Sequence, residues 1–339
     1  MDYILNKENE IYYECGWSSD NALFLKLKDY KYVITDGRYT LEAKEEANAE
    51  VIEASNLIKK ARELILKHKV KKIALDPLNW DYESYNLIAK VCKIKNEKYF
   101  SHRKRMIKTQ KELDLIKKAV KKGAKVFSEF INKIEINIDE YELSFRFKEL
   151  LTKRGKRALS FEPIVAINEN SAKPHARLSS KKLKEGDLLL LDAGIKYKRY
   201  CSDRTRTISI NEDISVSKYQ SFKNKKMQKI YDIVLKSQLK AINSIEVGKE
   251  ICEIDKAARE VINKAGYGKY FVHSLGHGVG LDIHEWPYIN ARNKIKIKEG
   301  MVFTVEPGIY LPNEFGVRIE DMVIVTLDGK IKVLSEEEI

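Results

Sequence analysis

The sequence has 339 residues, of which 43% are hydrophobic and 9% aromatic. This length suits two domains, and this composition excludes wholesale disorder. The longest apolar run, at 188–191, is far too short to cross a bilayer, and the N-terminal MDYILNKENE lacks the apolar stretch of a secretory signal. We therefore expect a soluble, cytoplasmic protein with no membrane partner.

The net charge is +13, from 63 basic and 50 acidic residues. Because the lysines are spread along the chain and mixed with glutamates, we favour a solvated surface over a nucleic-acid footprint. Four scattered cysteines without a CxxC pair predict neither a disulfide framework nor a metal held by thiolates.

The first third of the chain alternates strand-like and helix-like segments. Residues 22–28 and 32–35 predict two strands joined by a turn. Apolar residues recur at helical spacing over 56–68, and a short strand is predicted at 72–75, where Asp76-Pro77 ends it. This pattern is typical of an α/β domain with its own core.

A charged stretch at 101–110 marks the expected boundary between domains. Thr109 and Glu112 fit a capping box, and apolar residues then follow one helix face. A second helix is predicted over 139–154, before Gly155. We therefore predict domains at 1–108 and 109–339.

From residue 162 the sequence predicts apolar strands bounded by glycine and polar residues. These strands lie in PIVAIN, DLLLLDAG, TRTISI, MVFTVEPG and VRIEDMVIV. Helices are predicted near 223–244 and over 252–264, the second closed by Gly266. The lysine-rich segment 218–229 is typical of an exposed insertion, and 327–330 of a hairpin turn.

Four acids interrupt these apolar strands, where an ionised carboxylate is costly unless it is paired or bound to a cation. They are Asp192, Asp203, Glu306 and Glu320, and His277 lies in the Gly-rich GHGVG. Taken singly, each acid could cap a turn, face solvent or form a salt bridge. Together they predict one metal centre, and carboxylates with imidazole suit divalent manganese, cobalt, zinc or iron.

Several familiar catalytic motifs are absent from the sequence. The segment HEWPY at 284–288 is not HExxH, because Tyr288 stands where the second histidine is needed. The glycines of GHGVGL do not fit GxGxxG, and neither a P-loop nor a GxSxG elbow occurs.

The second domain resembles the catalytic domain of Xaa-Pro dipeptidases (prolidases) and Xaa-Pro aminopeptidases, which share the pita-bread fold with methionine aminopeptidase. The matching motifs are LLLDAG, YCSDRTRT, HSLGHGVGLDIHEWP, FTVEPGIY and GVRIEDMV. The first domain is similar to the N-terminal domain of that family through ITDGRYTLEA and RMIKTQKELDLIKKA. The resemblance implies an α+β protein in which a smaller α/β creatinase-type domain precedes a pita-bread (creatinase/aminopeptidase-like) catalytic domain.

The resemblance also implies two divalent metal ions per subunit, with Mn²⁺ favoured and Co²⁺, Zn²⁺ or Fe²⁺ as alternatives. Asp203 and Glu320 would bridge both ions, Asp192 would complete the coordination of one, and His277 and Glu306 that of the other.

Residues around this centre match positions that the family uses for substrate. His175, in KPHAR, matches a histidine beside the substrate, and His284 one that hydrogen-bonds the substrate carbonyl. His273 lines the site, and Arg318 supports the metal centre and the substrate. His175 as a surface histidine and Arg318 as a plain salt-bridge partner remain alternatives.

The implied activity is that of a metal-dependent exopeptidase that hydrolyses the Xaa-Pro bond of dipeptides or short peptides with a metal-activated hydroxide. Glu306, His284 and His175 would be its catalytic residues, and the resemblance implies a homodimer. Two alternatives stay open: a non-catalytic scaffold with an RNA or protein partner, and creatinase-like chemistry without metal. Tyr288 stands where several prolidases have arginine, and Arg292 could substitute for it, so dipeptidase and aminopeptidase action both remain possible.

Overall fold

Two units of structure follow one another along the chain in the computed structural model: Met1–Arg105 and Met106–Ile339. The structure describes residues 1–334. The division between the units falls close to the boundary that we predicted after residue 108.

The first unit contains a mixed six-stranded sheet with the strand order β4-β3-β2-β1-β5-β6. Its strands are β1 (Tyr3–Leu5), β2 (Ala22–Leu27), β3 (Tyr30–Thr35), β4 (Glu50–Glu53), β5 (Lys72–Leu75) and β6 (Lys93–Asn96). Its helices are α1 (Glu8–Cys15), α2 (Thr40–Glu46), α3 (Leu57–Lys67), α4 (Tyr82–Ala89) and α5 (Phe100–Arg105). The predicted strands and the helix near 56–68 are therefore confirmed.

Local signals account for these elements. The β2–β3 turn is tight because Lys28 adopts a left-handed conformation, with φ of 53°. The Asn56 side chain caps α3 by accepting a hydrogen bond from the Lys59 backbone, and α3 then buries Ala61, Leu64 and Ile65.

The second unit contains the remaining helices and strands. Its helices are α6 (Gln110–Ile131), α7 (Glu140–Thr152), α8 (Lys225–Ile242) and α9 (Ile251–Lys264). Its strands are β7 (Ile164–Ile167), β8 (Leu188–Asp192), β9 (Lys196–Tyr197), β10 (Tyr200–Cys201), β11 (Thr205–Ser209), β12 (Gly276–Gly278), β13 (Glu285–Ile289), β14 (Val302–Val305), β15 (Gly308–Leu311), β16 (Phe315–Arg318), β17 (Asp321–Val325) and β18 (Ile331–Leu334). The capping box of Thr109 and Glu112 is present at the start of α6, as predicted.

Two antiparallel sheets carry most of this unit, with the strand orders β11-β8-β7 and β13-β12-β14-β17-β18. The apolar run of β8 is continuous because both faces of its sheet are covered. Leu188 and Leu190 belong to one hydrophobic cluster, whereas Leu189 and Leu191 belong to another. A strand buried on both faces holds its terminal residue, Asp192, in a fixed position.

Two details differ from the sequence-based expectations. The segment 218–229 is not simply an exposed insertion, because Phe222 lies in the core with 6% exposure and Lys218 Nζ lies 3.1 Å from Asp321 Oδ2. VRIEDMVIV does not form one strand, since β16 ends at Arg318 and β17 begins at Asp321. Glu320 therefore lies in a break between strands. Its side chain need not follow the strand pattern in which successive side chains point to opposite faces of the sheet.

The predicted hairpin turn near 327–330 is confirmed. It joins β17 to β18, and the Thr326 backbone N–H donates to Lys330 O at 2.9 Å. No helix within residues 1–334 is both long and apolar enough to cross a membrane.

Candidate metal centre

The five residues predicted to bind metal come together from different strands of the second unit. Asp192 ends β8, and Asp203 lies just before β11. His277 is the central residue of β12, Glu306 directly follows β14, and Glu320 separates β16 from β17. All five line a single cavity with a volume of about 670 Å³.

Side-chain distances within this group fit a metal site. His277 Nε2 lies 3.5 Å from Asp203 Oδ2 and 3.3 Å from Glu306 Oε1. Ligand atoms of Asp203, His277 and Glu320 all lie within 4.8 Å of one another. One cation placed among these atoms could therefore contact several of them.

The tautomer of His277 also fits a cation. Its Nδ1 lies 3.1 Å from the carbonyl oxygen of Gly278 and donates to it, so Nε2 carries the lone pair that faces the carboxylates. Burial lowers the pKa of this imidazole to about 3, and the ring is therefore neutral at physiological pH. A lone pair opposite two carboxylates is favourable only with a positive charge between them.

The carboxylates themselves are crowded and buried. Burial raises the pKa of Glu306 to about 8. Burial and neighbouring carboxylates also raise the pKa values of Asp203 and Glu320 well above their ordinary range. Asp192 Oδ1 and Glu320 Oε1 are buried without a hydrogen-bond partner among the described residues. The donor set thus fits divalent cations, which would neutralise the charges and satisfy these oxygens.

Arg318 and two threonines hold the carboxylates in place. Arg318 Nη2 donates to Asp192 Oδ2 at 2.7 Å, and Nε donates to Thr205 Oγ1 at 3.1 Å. Thr205 Oγ1 in turn donates to Glu320 Oε2 at 2.7 Å, and Thr304 Oγ1 donates to Glu306 Oε1 at 3.1 Å. Hydrogen bonds of this kind orient the oxygens of metal-binding carboxylates.

The three predicted substrate histidines line the same cavity. His284 is exposed, and its ring packs edge-on against His277 with a centroid distance of 4.3 Å. His273 is more enclosed, since Nδ1 lies 2.7 Å from Ser274 O and Nε2 lies 2.9 Å from the Tyr310 hydroxyl. His175 is exposed on the cavity wall. The structure therefore brings all nine predicted site residues to one cavity.

Comparison with known proteins identifies the family to which this arrangement belongs. The model of metallopeptidase family M24 matches residues 114–327. The chain belongs to metallopeptidase family M24.

Relatives of this M24 chain are similar in sequence and in fold. It is 41% identical to the Xaa-Pro dipeptidase of Pyrococcus furiosus over 233 residues, which cover 69% of this chain and 64% of that protein. The match thus spans just under two thirds of that relative's length.

Solved structures match nearly the whole M24 chain. A Xaa-Pro dipeptidase from Bacillus anthracis has a TM-score of 0.89 at 33% identity, and the match covers 99% of this chain and 92% of that one. An X-Pro aminopeptidase from Thermotoga maritima has a TM-score of 0.86 at 32% identity, covering 98% and 95%. The predicted family and pita-bread fold are confirmed, and the scaffold alternative is not favoured.

Sequence reasoning missed part of the M24 site. Tyr310 hydrogen-bonds both Arg318 Nη1, at 2.8 Å, and His273, but a tyrosine in the strand GIYL is typical of core packing. Arg206 was also missed: Nη2 pairs with Asp321 Oδ1 at 2.6 Å, and Nη1 donates to Glu320 O at 2.6 Å. Both ion-pair side chains are 1% exposed, so Arg206 fixes the backbone that carries Glu320.

Proposed function

We propose that this M24 protein is a two-metal exopeptidase that hydrolyses the bond preceding proline in dipeptides or short peptides. The convergence of Asp192, Asp203, His277, Glu306 and Glu320 on one cavity is the observation that carries the proposal. The names of its relatives, an Xaa-Pro dipeptidase and an X-Pro aminopeptidase among them, support the choice of bond.

In this proposal Asp203 and Glu320 would help to hold both ions, Asp192 would help to hold one, and His277 and Glu306 would help to hold the other. Mn²⁺ is our first choice, with Co²⁺, Zn²⁺ or Fe²⁺ as alternatives, because the donors are carboxylates and one imidazole. Bound divalent cations lower the pKa of water and polarise a carbonyl, which is the chemistry that amide hydrolysis requires.

The chain's own residues would orient the substrate and move the proton. A ring N–H of His284 donates to the substrate carbonyl oxygen as negative charge develops there. Glu306 accepts the proton of the attacking water and delivers it to the proline nitrogen, because an amide nitrogen leaves poorly without a proton. His175 lines the same cavity and would lie beside the substrate.

A dedicated site for this bond is chemically reasonable. Proline makes a tertiary amide, and its ring restricts the shape of the bond before it, so this substrate differs from an ordinary peptide. The homodimer and the cytoplasmic location stay predictions.

The proposal is tested by metal dependence together with an Asp203→Asn variant. We expect chelator to abolish hydrolysis of Ala-Pro and Ala-Pro-Gly, and added Mn²⁺ or Co²⁺ to restore it. Because Asp203 would hold both ions, Asp203→Asn should lose bound metal, measured by elemental analysis, and should lose turnover.

Asp213→Asn is the matched control, since Asp213 is exposed and lies outside the cavity. It should keep both metal and activity. A fully active Asp203→Asn variant, or wild-type protein that stays metal-free and inert in excess Mn²⁺, would refute the two-metal assignment.

A further inference from the structure

A buried glutamine lies behind two of the proposed metal ligands. Gln238 is on α8 and has 0% exposure, and it is not among the described residues that line the cavity. Its side-chain amide nitrogen, Nε2, lies 3.2 Å from each of three oxygens: Val305 O, Ile319 O and Asp321 Oδ2. Gln238 therefore touches neither the cavity nor a proposed ligand side chain.

The three oxygens belong to residues next to two proposed ligands. Val305 directly precedes Glu306, and Ile319 and Asp321 stand on either side of Glu320. The two segments come from different strands, since Val305 ends β14 and Ile319 lies in the break between β16 and β17. A single amide thus ties the backbone beside one ligand to the backbone beside the other.

The strand ladder itself stops short of these ligands. The pairing of β14 with β17 ends at Val305 and Asp321, so Glu306 and Glu320 both lie just outside it. A buried carbonyl beyond the end of a ladder needs a hydrogen-bond donor from elsewhere. The Gln238 amide donates to such a carbonyl at Ile319 and also to the carbonyl of Val305, in the last pair of the ladder. It therefore holds the two segments together at the point where the ladder ends.

The chemistry of this side chain indicates that its donors matter. All three neighbours of Nε2 are acceptors, so the NH₂ group must face them, because the reverse orientation would set oxygen against oxygen. Gln238 Oε1 is then buried without a hydrogen-bond partner among residues 1–334. An unpaired buried acceptor costs free energy, which an apolar side chain of similar size would avoid. Packing alone would favour methionine or leucine here, and the donors are what distinguish glutamine from them.

Both sides of this contact are firmly held. On α8, the neighbouring Ser237 Oγ donates to Ala258 O of α9 at 2.9 Å, which ties the two helices together. On the other side, Asp321 Oδ1 accepts from Arg206 Nη2 at 2.6 Å. The amide of Gln238 therefore joins a fixed helix to a fixed strand.

We infer that Gln238 is a positioning residue of the metal centre, and that its amide sets the placement of the Glu306 carboxylate relative to that of Glu320. The inference rests on the proposed function, in which one ion would be held with the help of both carboxylates. Groups that orient metal-binding carboxylates contribute to metal affinity. Loss of the Gln238 donors should therefore weaken the binding of that ion more than the binding of the other.

The test is Mn²⁺ binding by the full chain carrying Gln238→Met, which keeps the length of the side chain and removes its donors. In calorimetric titrations we expect two sites in the metal-free wild type. In the variant one site should be weakened by about ten- to a hundredfold, the scale of losing a group that orients a metal ligand. With Mn²⁺ at saturation, kcat for Ala-Pro or Ala-Pro-Gly should still be lower, whereas KM should change little because Gln238 lies outside the cavity.

Ser237→Ala is the matched control. It removes a buried hydrogen bond from the adjacent residue of the same helix, so it should also lower stability. Because it leaves the Gln238 donors in place, it should keep the wild-type Mn²⁺ affinities and kcat.

Gln238→Glu is a second variant, which carries the test if Gln238→Met does not fold. A carboxyl group buried at this position is protonated and keeps one hydrogen to donate. The weakened site should therefore have an Mn²⁺ affinity between those of the wild type and Gln238→Met.

Wild-type Mn²⁺ affinities and kcat in folded Gln238→Met, or in Gln238→Glu should the first variant not fold, would overturn this inference and leave the proposed exopeptidase intact. An equal loss of affinity in Ser237→Ala would overturn it as well, because the effect would then follow from stability alone. If the wild type itself binds no Mn²⁺, the proposed function fails, and this inference fails with it.

Discussion

The histidines of the cavity wall differ in what their ring nitrogens contact. His277 directs its Nδ1 hydrogen to a backbone carbonyl, and His273 contacts protein groups through both nitrogens. The ring nitrogens of His284 have no hydrogen-bond partner among the described residues. Although the residue is exposed overall, the partial desolvation of its ring beside the cavity lowers the pKa of the imidazole below its usual value. A neutral ring with an available N–H is suited to donate to a substrate oxygen.

We therefore expect His284→Ala to lower kcat by about a hundredfold or more, the scale of removing one oxyanion donor. Elemental analysis should find the metal content unchanged, because His284 is not among the proposed ligands. A variant that keeps wild-type kcat would exclude a role for His284 in the reaction, and one that loses metal would place it among the ligands.

At the scale of single residues, site residues could be predicted from the sequence where burying the side chain costs free energy. Asp192 and Glu306 stood out because carboxylates are rare beside buried apolar strands. Tyr310 and Thr205 did not, since tyrosine and threonine are ordinary strand residues whose partners become visible only in three dimensions. A hydroxyl in a strand gives no signal in the sequence when its partner lies far along the chain.

At the scale of elements, a buried ion pair joins the start of the second unit to the strand next to His284. Lys108 Nζ lies 2.7 Å from Glu285 Oε1, and both side chains are 1% exposed. Gly280 makes room for this carboxylate, since a Cβ there would lie 2.3 Å from Glu285 Oε1. The pair thus fixes the beginning of β13, directly after His284.

Removing one partner should leave a buried charge uncompensated. We expect Lys108→Met to reduce the free energy of unfolding by about 3–5 kcal/mol in urea titrations. Lys111→Met, an exposed change nearby, should have little effect. The double variant Lys108→Met/Glu285→Leu should recover much of the loss. If Lys108→Met proved as stable as Lys111→Met, a structural role for the pair would be contradicted.

Element boundaries were predictable where local chemistry sets them. The capping box of Thr109 and Glu112 and the helix end near Gly266 are examples. The break at Ile319-Glu320 was not predictable, because VRIEDMVIV has the composition of one strand. The backbone is held there by long-range hydrogen bonds, such as that from the Glu320 N–H to Thr205 O at 3.1 Å. The burial of Phe222 in a lysine-rich segment likewise depends on helices elsewhere in the unit.

At the scale of the whole molecule, the crowded carboxylates couple metal binding to stability. Without metal, the pKa of Glu306 is raised from 4.5 to about 8, so the folded protein binds more protons than the unfolded chain between these values. Stability must then fall as the pH rises through this interval. Bound cations reverse the effect by favouring the ionised carboxylates.

We accordingly expect the metal-free protein to have a lower Tm at pH 8 than at pH 6, and Mn²⁺ to raise Tm more at pH 8. Differential scanning calorimetry with chelator or excess Mn²⁺ measures both shifts. The Asp203→Asn variant should show a smaller Mn²⁺ effect, and Asp213→Asn the full one. A wild-type Tm that ignores Mn²⁺ at both pH values would contradict this coupling.

The hydrogen-bonded row of Arg318, Tyr310 and His273 has a consequence for how the wall responds to a bound peptide. Arg318 donates to the tyrosine oxygen, so the tyrosine proton points to His273 Nε2, and the opposite edge of the imidazole donates to Ser274 O. Because both ring nitrogens of His273 are hydrogen-bonded to the protein, the imidazole cannot rotate away or donate its N–H to a ligand without breaking one of these bonds. If His273 lines the substrate position as predicted, it would discriminate ligands by size and shape, and a change in the bulk of this ring would be transmitted along the row to the carboxylate of Asp192.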